Sequence, residues 1–178
     1  MTTEPLFETE RLFVRHFGPD DLNDFADLCA DAEVMRYVGD GETLPRDEVV
    51  RWIEVCQTKY ATRGYGTSAV LERASGISPD TAPGTFVGYC GVVRAPGNDF
   101  DELIYVFHKR AWGRGYALEA SKAMLEYVFR RSPLTHIYAT IYADNHASRK
   151  VAEKLGMRFE KEVVEPEGVV RFYVVERG

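Results

Sequence analysis

Arg110-Ala111-Trp112-Gly113-Arg114-Gly115-Tyr116 stands between an extended apolar segment, Leu103 to Phe107, and an amphipathic pattern that begins near Ala117. Glycines between a strand and a helix let the backbone bend sharply and aim several N–H groups outward. The start of the helix adds about half a positive charge where those groups converge. Lys109, Arg110 and Arg114 lie within the same few residues and raise the local charge further. Such a loop suits an anion, a pyrophosphate above all. Its plainer reading is a surface turn with incidental cations.

Working outward, Glu102 to His108 reads as the strand before this loop, and the helix after it runs to about Arg131, where Pro133 ends it. Ala117, Ala120, Ser121, Met124, Leu125 and Val128 form its buried stripe. His136 to Ala143 is the next strand, so the centre of the chain is a β–α–β unit with a right-handed crossover and parallel neighbours. Upstream, Thr9 to Phe17, Gly66 to Glu72 and Thr85 to Arg94 read as strands, with helices from Pro19-Asp20-Asp21, over Ala32 to Tyr37, and over Pro45 to Arg63. Arg73 to Gly84 is a long polar hairpin loop, and Pro96-Gly97-Asn98-Asp99 a turn. Downstream, Ala147 to Leu155 is a short helix. Arg158 to Val164 and Val169 to Glu176 close the chain as a hairpin around Pro166-Glu167-Gly168. The expectation is an α+β fold: a mixed, mostly antiparallel seven-stranded sheet with helices on both faces, forming one domain over residues 1–178.

The chain has 178 residues, 45% hydrophobic and 28% charged, with a net charge of −6. That balance argues against a general nucleic-acid binder. It fits an anionic partner at one basic loop and a cationic substrate nearby. No apolar run approaches the ~18 residues of a membrane helix. Met1-Thr2-Thr3-Glu4-Pro5 carries no secretory pattern, and Cys29, Cys56 and Cys90 sit outside any C-x-x-C spacing, so reduced thiols in a cytoplasmic protein are expected. His16, His108, His136 and His146 are dispersed and no metal signature is present.

Three phosphate-binding patterns compete for the loop. A Walker A loop is absent, and a Rossmann loop would place a third glycine where Leu118 stands. The pattern R/Q-x-x-G-x-G/A is matched in full by Arg110, Gly113 and Gly115. With Trp112 to Ala120, Asn145-His146-Ala147-Ser148 and Val151 to Phe159, the chain resembles the GCN5-related N-acetyltransferase (GNAT) superfamily. Thr9 to Arg15 and Asp31 to Tyr37 resemble its RimJ/RimL-like branch.

The resemblance implies acetyl-CoA as co-substrate, with its pyrophosphate on the N–H groups of Trp112, Gly113, Arg114, Gly115 and Tyr116, beside Ala111 and with Arg110 near the rim. It implies a pantetheine arm between the strands of Val106 and Ile141, near backbone groups of Tyr105 to Phe107, with Asn145 bonding the arm and Ser148 near the sulfur. Glu102 is the candidate base and Ser148 the candidate donor to the leaving thiolate. A protein N-terminus and a small amine both remain open as acceptor, and the branch allows a homodimer. Ile104 stands where the branch more often has glycine, which bears on the acceptor.

The plainer readings stay beside these: Ser148 as a helix cap, Glu102 as a solvated strand-end carboxylate, Tyr105 and Tyr142 as core aromatics, Asp144 as a turn residue. Glu33, Asp40 and Glu42 read equally as cation-attracting groups and as a solvated acidic surface. A non-catalytic CoA-binding or regulatory module of the same fold is the alternative function.

Overall fold

The computed structural model describes residues 4–73, 84–94 and 97–178. Eight strands form one sheet: β1 (Phe7–Glu8), β2 (Leu12–Arg15), β3 (Thr67–Glu72), β4 (Thr85–Val93), β5 (Glu102–Phe107), β6 (His136–Tyr142), β7 (Arg158–Glu165) and β8 (Gly168–Glu176). Their spatial order is β1-β2-β3-β4-β5-β6-β8-β7. Every neighbouring pair is antiparallel except β5 and β6. The helices are α1 (Leu22–Cys29), α2 (Ala32–Met35), α3 (Arg46–Arg63), α4 (Tyr116–Arg131) and α5 (His146–Lys154).

The expected mixed, mostly antiparallel sheet is present, with eight strands where seven were expected. The extra strand is β1, which lies just ahead of the expected Thr9 to Phe17 strand; the first residues of that stretch form the turn that joins β1 to β2. The Thr9 amide donates to the Leu12 carbonyl at 2.9 Å, and the Leu12 amide donates to Thr9 Oγ1 at 3.0 Å. A side-chain hydroxyl makes this turn, so neither glycine nor proline marks it. α2 also stops at Met35, short of Tyr37, and the chain then turns through Gly39 and Gly41, with φ of 58° and 82°. Of the expected Arg73 to Gly84 loop, residues 74–83 lie outside the described residues, as does Pro96 of the expected turn.

Side chains alternate between two apolar clusters. Leu12, Val14, Val70, Leu103, Phe107, Ile137 and Ile141 pack toward α4 and α5. Ala69, Leu71, Tyr89, Ile104 and Val106 pack toward α1, α2 and α3. Alternation along β5 therefore sends Glu102, Ile104 and Val106 to one face and Leu103, Tyr105 and Phe107 to the other. β4 presses closely on β5: a Cβ at Gly88 would stand 2.2 Å from the Val106 carbonyl oxygen.

Cys29, Cys56 and Cys90 are all buried free thiols. Burial pushes them up to about 12, about 11 and about 12, which leaves them protonated and poor nucleophiles. Among the described residues no helix is long and apolar enough to cross a membrane.

One buried ion pair joins the first helices to the sheet. Arg15, on β2, grips Asp21 with two bonds of 2.6 and 2.8 Å, and Asp21 also accepts from the Gly18 amide at 2.8 Å. Asp21 is 3% exposed. Asp21→Ala leaves a largely desolvated guanidinium without its partner, and urea denaturation is expected to show a loss of about 3–5 kcal/mol.

Candidate active site

Past Phe107 the chain makes a short 3₁₀ turn, Lys109–Ala111, before the glycines. The turn is pinned to the sheet: the Trp112 indole donates to the Phe107 carbonyl at 2.8 Å, and Arg110 Nη2 donates to the Phe86 carbonyl at 2.5 Å. The Trp112 amide is used within the turn, on the Lys109 carbonyl at 3.1 Å. Gly113 and Gly115 then adopt φ of 72° and 80°, the left-handed region that glycine enters without cost, and Gly115 caps α4. Among the described residues no backbone carbonyl accepts from the amides of Gly113, Arg114, Gly115 and Tyr116. Exposed amides at a helix start form an anion cradle.

A network from the first strands holds this loop. Arg114 pairs with Glu72, whose carboxyl that contact draws below its ordinary range, and Tyr116 Oη also donates to Glu72 at 2.7 Å. Arg11 Nη1 donates to the Arg114 carbonyl at 2.8 Å, and its Nε donates to Glu119 at 2.7 Å. Glu119 also accepts from Thr9 Oγ1 at 2.6 Å. Lys109 is neutralised by Asp31 and Glu33, each at 3.0 Å, which commits Glu33 to an ion pair. Arg11 and Arg114 are likewise balanced by Glu119 and Glu72, so among the described residues the cation near the cradle without a carboxylate partner is Arg110.

β5 and β6 pair only at Glu102 and Tyr138. Beyond that rung they separate, and the gap opens toward the glycine loop and the start of α5. On one side of the gap lies Tyr105. Among the described residues its buried Oη has no hydrogen-bond partner of good geometry, although the Ser148 hydroxyl is near enough to oppose the rise, to about 12, that burial causes. Asn145 caps α5 by accepting from the Ser148 amide at 3.1 Å. The cap is therefore Asn145, and the Ser148 hydroxyl is not spent on one.

On the other side of the gap stands Glu102. Its Oε2 accepts from Thr140 Oγ1 at 2.6 Å, across the separating strands. Burial raises its pKa, and the Thr140 bond holds the rise back by favouring the charged form. Among the described residues no cation pairs with it.

Near the mouth, Tyr37 Oη donates to Asp144 at 3.1 Å, which ties the end of α2 to the β6–α5 junction. The structure thus brings Tyr105, Asn145 and Ser148 to one side of a split sheet and Glu102 to the other, with the amides of Gly113 to Tyr116 at its open end.

Sequence reading did not single out Thr140, Glu72 or Glu119. The period of two along His136 to Tyr142 is the signal that sets Thr140 on a face with Tyr138. Among the described residues no group of three or more metal-capable side chains is present.

A strand–glycine loop–helix unit beside a split parallel pair is the architecture of an acetyltransferase domain. Residues 11–158 match the acetyltransferase (GNAT) domain, and the chain belongs to that family of enzymes. It is 34% identical over 142 residues to the uncharacterized protein YkkB of Bacillus subtilis, covering 78% of this chain and 76% of that one. It is 29% identical to the uncharacterized N-acetyltransferase YnaD of the same organism, covering 85% and 82%. Two solved structures share the fold. RimL, a ribosomal L7/L12 alpha-N-protein acetyltransferase in complex with coenzyme A, has a TM-score of 0.78 at 15% identity, covering 97% of this chain and 98% of that one. A spermidine N-acetyltransferase from Vibrio cholerae, with coenzyme A and spermine, has a TM-score of 0.75 at 18% identity, covering 94% and 96%.

The unpartnered Tyr105 hydroxyl gives the site a stability signature. Removing a buried, unbonded hydroxyl relieves its desolvation cost, so Tyr105→Phe is expected to stabilise the ligand-free protein by about 1 kcal/mol. A thermal unfolding scan checks this by a rise in Tm.

Proposed function

We propose that the protein, acting as one domain, moves an acetyl group from acetyl-CoA to a primary amine by direct attack in a ternary complex. The observation that carries this reading is the single-rung pairing of β5 and β6. It leaves a gap with backbone amides at its open end, an unbonded hydroxyl on one side and a cation-free carboxylate on the other. The amides of Gly113 to Tyr116 would hold the pyrophosphate. Asn145 and the β5 backbone around Tyr105 to Phe107 would hold the arm, with Tyr105 Oη free to bond it.

Acetyl-CoA supplies an activated carbonyl with a leaving group of parent pKa near ~8.5, which needs little protonation at neutral pH. The chain supplies the rest. Glu102 takes the proton from the acceptor ammonium, and the neutral amine attacks the thioester carbonyl. A β5 amide near Val106 stabilises the oxyanion, commonly the largest single contribution. The adduct then collapses: the C–S bond breaks, the second proton of the nitrogen passes to the departing sulfur, and the Ser148 hydroxyl donates a hydrogen bond to that sulfur. The acceptor is either a protein α-amine or a small amine, the acceptor kinds named for the two structural neighbours.

Two variants test the halves separately. At Gly113 an added Cβ meets nothing within 4 Å, but φ is 72°. Gly113→Val therefore strains only the loop, by about 1–2 kcal/mol, and shields its amides. Calorimetric titration is expected to show acetyl-CoA binding weakened more than about tenfold with the far-UV spectrum unchanged. An unchanged affinity in the folded variant removes the pyrophosphate assignment.

Glu102→Gln is expected to slow thiol release about 10²-fold near pH 7. The deficit shrinks as pH rises toward the acceptor's own pKa, where the amine needs no base. Thr140→Val removes a bond to the charged carboxylate, so Glu102 titrates higher and the acid limb of the rate profile moves to higher pH. Binding of acetyl-CoA without thiol release from any amine would return the non-catalytic reading.

A further inference from the structure

The face of the sheet that carries Glu102 is covered unevenly. The apolar cluster beneath α1, α2 and α3 draws side chains from β2, β3, β4 and β5, and none from β6, β7 or β8. Beyond β5 the same face continues as a row of half-buried aromatic rings. Thr140, which holds Glu102, lies directly opposite Phe172 on β8, and Glu102 lies opposite Tyr138. Phe100 packs on both rings, with centroids 5.1 Å from Tyr138 and 5.8 Å from Phe172. The carboxylate therefore sits at the rim of a three-ring apolar floor.

Two further features shape what this floor accepts. Ile104, half-buried two residues from Glu102 on the same strand face, packs against the cluster beneath α1, α2 and α3 and adds an apolar side chain at the rim. At the outer edge the Lys161 ammonium lies 4.8 Å from the Phe172 ring centroid. A second positive charge on the ligand would be repelled there, while a neutral ring would stack.

We propose that this floor seats the body of the acceptor, and that the acceptor is a small arylalkyl monoamine. Its ammonium meets Glu102, and its ring lies against Phe172, Tyr138 and Phe100. The charge complementarity is direct: Glu102 has no cationic partner among the described residues, and a monoamine supplies one. The π faces favour the ammonium on its way in and the apolar ring once seated. A peptide N-terminus suits the floor poorly: apart from the Tyr138 hydroxyl, which already donates to Glu160 at 3.4 Å, three rings and an isoleucine offer its backbone amides no polar partner. This proposal rests on the acetyl-transfer reading above.

The test uses the full chain and has two independent readouts. Thiol release from acetyl-CoA is measured with 2-phenylethylamine, spermidine and a peptide with a free N-terminus. Binding of benzyltrimethylammonium, which cannot be acetylated, is followed separately by NMR. Phenylethylamine is expected to give a kcat/KM at least about tenfold above the other two, with benzyltrimethylammonium bound by the wild type. Phe172→Leu, which keeps the volume apolar, is expected to raise the phenylethylamine KM about tenfold, leave the KM for acetyl-CoA unchanged and abolish binding of the probe. Ile104→Gly is expected to narrow the preference over the peptide.

Turnover of the peptide or of spermidine in preference, without binding of benzyltrimethylammonium, overturns this proposal and leaves acetyl transfer standing. Benzyltrimethylammonium binding that is lost in Phe172→Leu, with no thiol release from any amine, supports the floor and overturns acetyl transfer. A dimer in sedimentation that Phe172→Leu dissociates would make the floor an interface between copies and overturn the proposal.

Discussion

β5 and β6 share one rung, at Glu102 and Tyr138, and then part because each has a better partner on its other side. β5 lies along β4 from Glu102 to Phe107, and β6 is paired to β8 over its whole length. Parallel pairing is the less stable kind, so the sheet opens there and not at an antiparallel ladder. Buried backbone groups left without a partner each cost about 1–3 kcal/mol unless something bonds them. The two residues that frame the gap chemically, Tyr105 and Glu102, lie three positions apart on opposite faces of β5. In the proposed reaction the ordinary pleat of one strand would thus separate a donor side from an acceptor side.

What was legible in the sequence follows the range of the forces involved. Strand, glycine loop and helix are consecutive, so local periodicity and the two glycines located the loop, and the helix begins at Tyr116, one residue before the expected Ala117. Pro45 and Ser132 flank α3 and α4 almost where the patterns placed the helix ends. The two-residue strand β1 was missed, and the start of β2 set three residues early, because a threonine hydroxyl, and no turn-forming backbone residue, reverses the chain. Glu102 could be found from its place at the head of a strand, but its partner Thr140 is 38 residues away. Which residue faces it depends on which strands become neighbours. Thr9 and Glu119 are 110 residues apart, and the matching stretches at Thr9 to Arg15 and Trp112 to Ala120 turn out to be two halves of one network.

Electrostatics divide the site in the same way. At the loop, carboxylates on Glu72 and Glu119 hold arginines in place, and Lys109 is spent on Asp31 and Glu33. The strongest fixed attraction for an anion left there is the set of backbone amides themselves. At Glu102 the order is reversed: the carboxylate is desolvated, held by a hydroxyl and left without a cation, the state in which a proton is easily taken and easily given up.

The clamp on the glycine loop bears on how a ligand would meet it. Arg11 reaches from the first hairpin to the Arg114 carbonyl, while Arg114 and Tyr116 are both tied to Glu72. The loop's torsions are thereby fixed before anything binds, and association has little backbone entropy to surrender there. Preorganisation of this kind lengthens residence more than it speeds arrival. A short hairpin at the start of the chain, far in sequence from Glu102 and Ser148, would thereby govern how long a ligand on the proposed cradle stays.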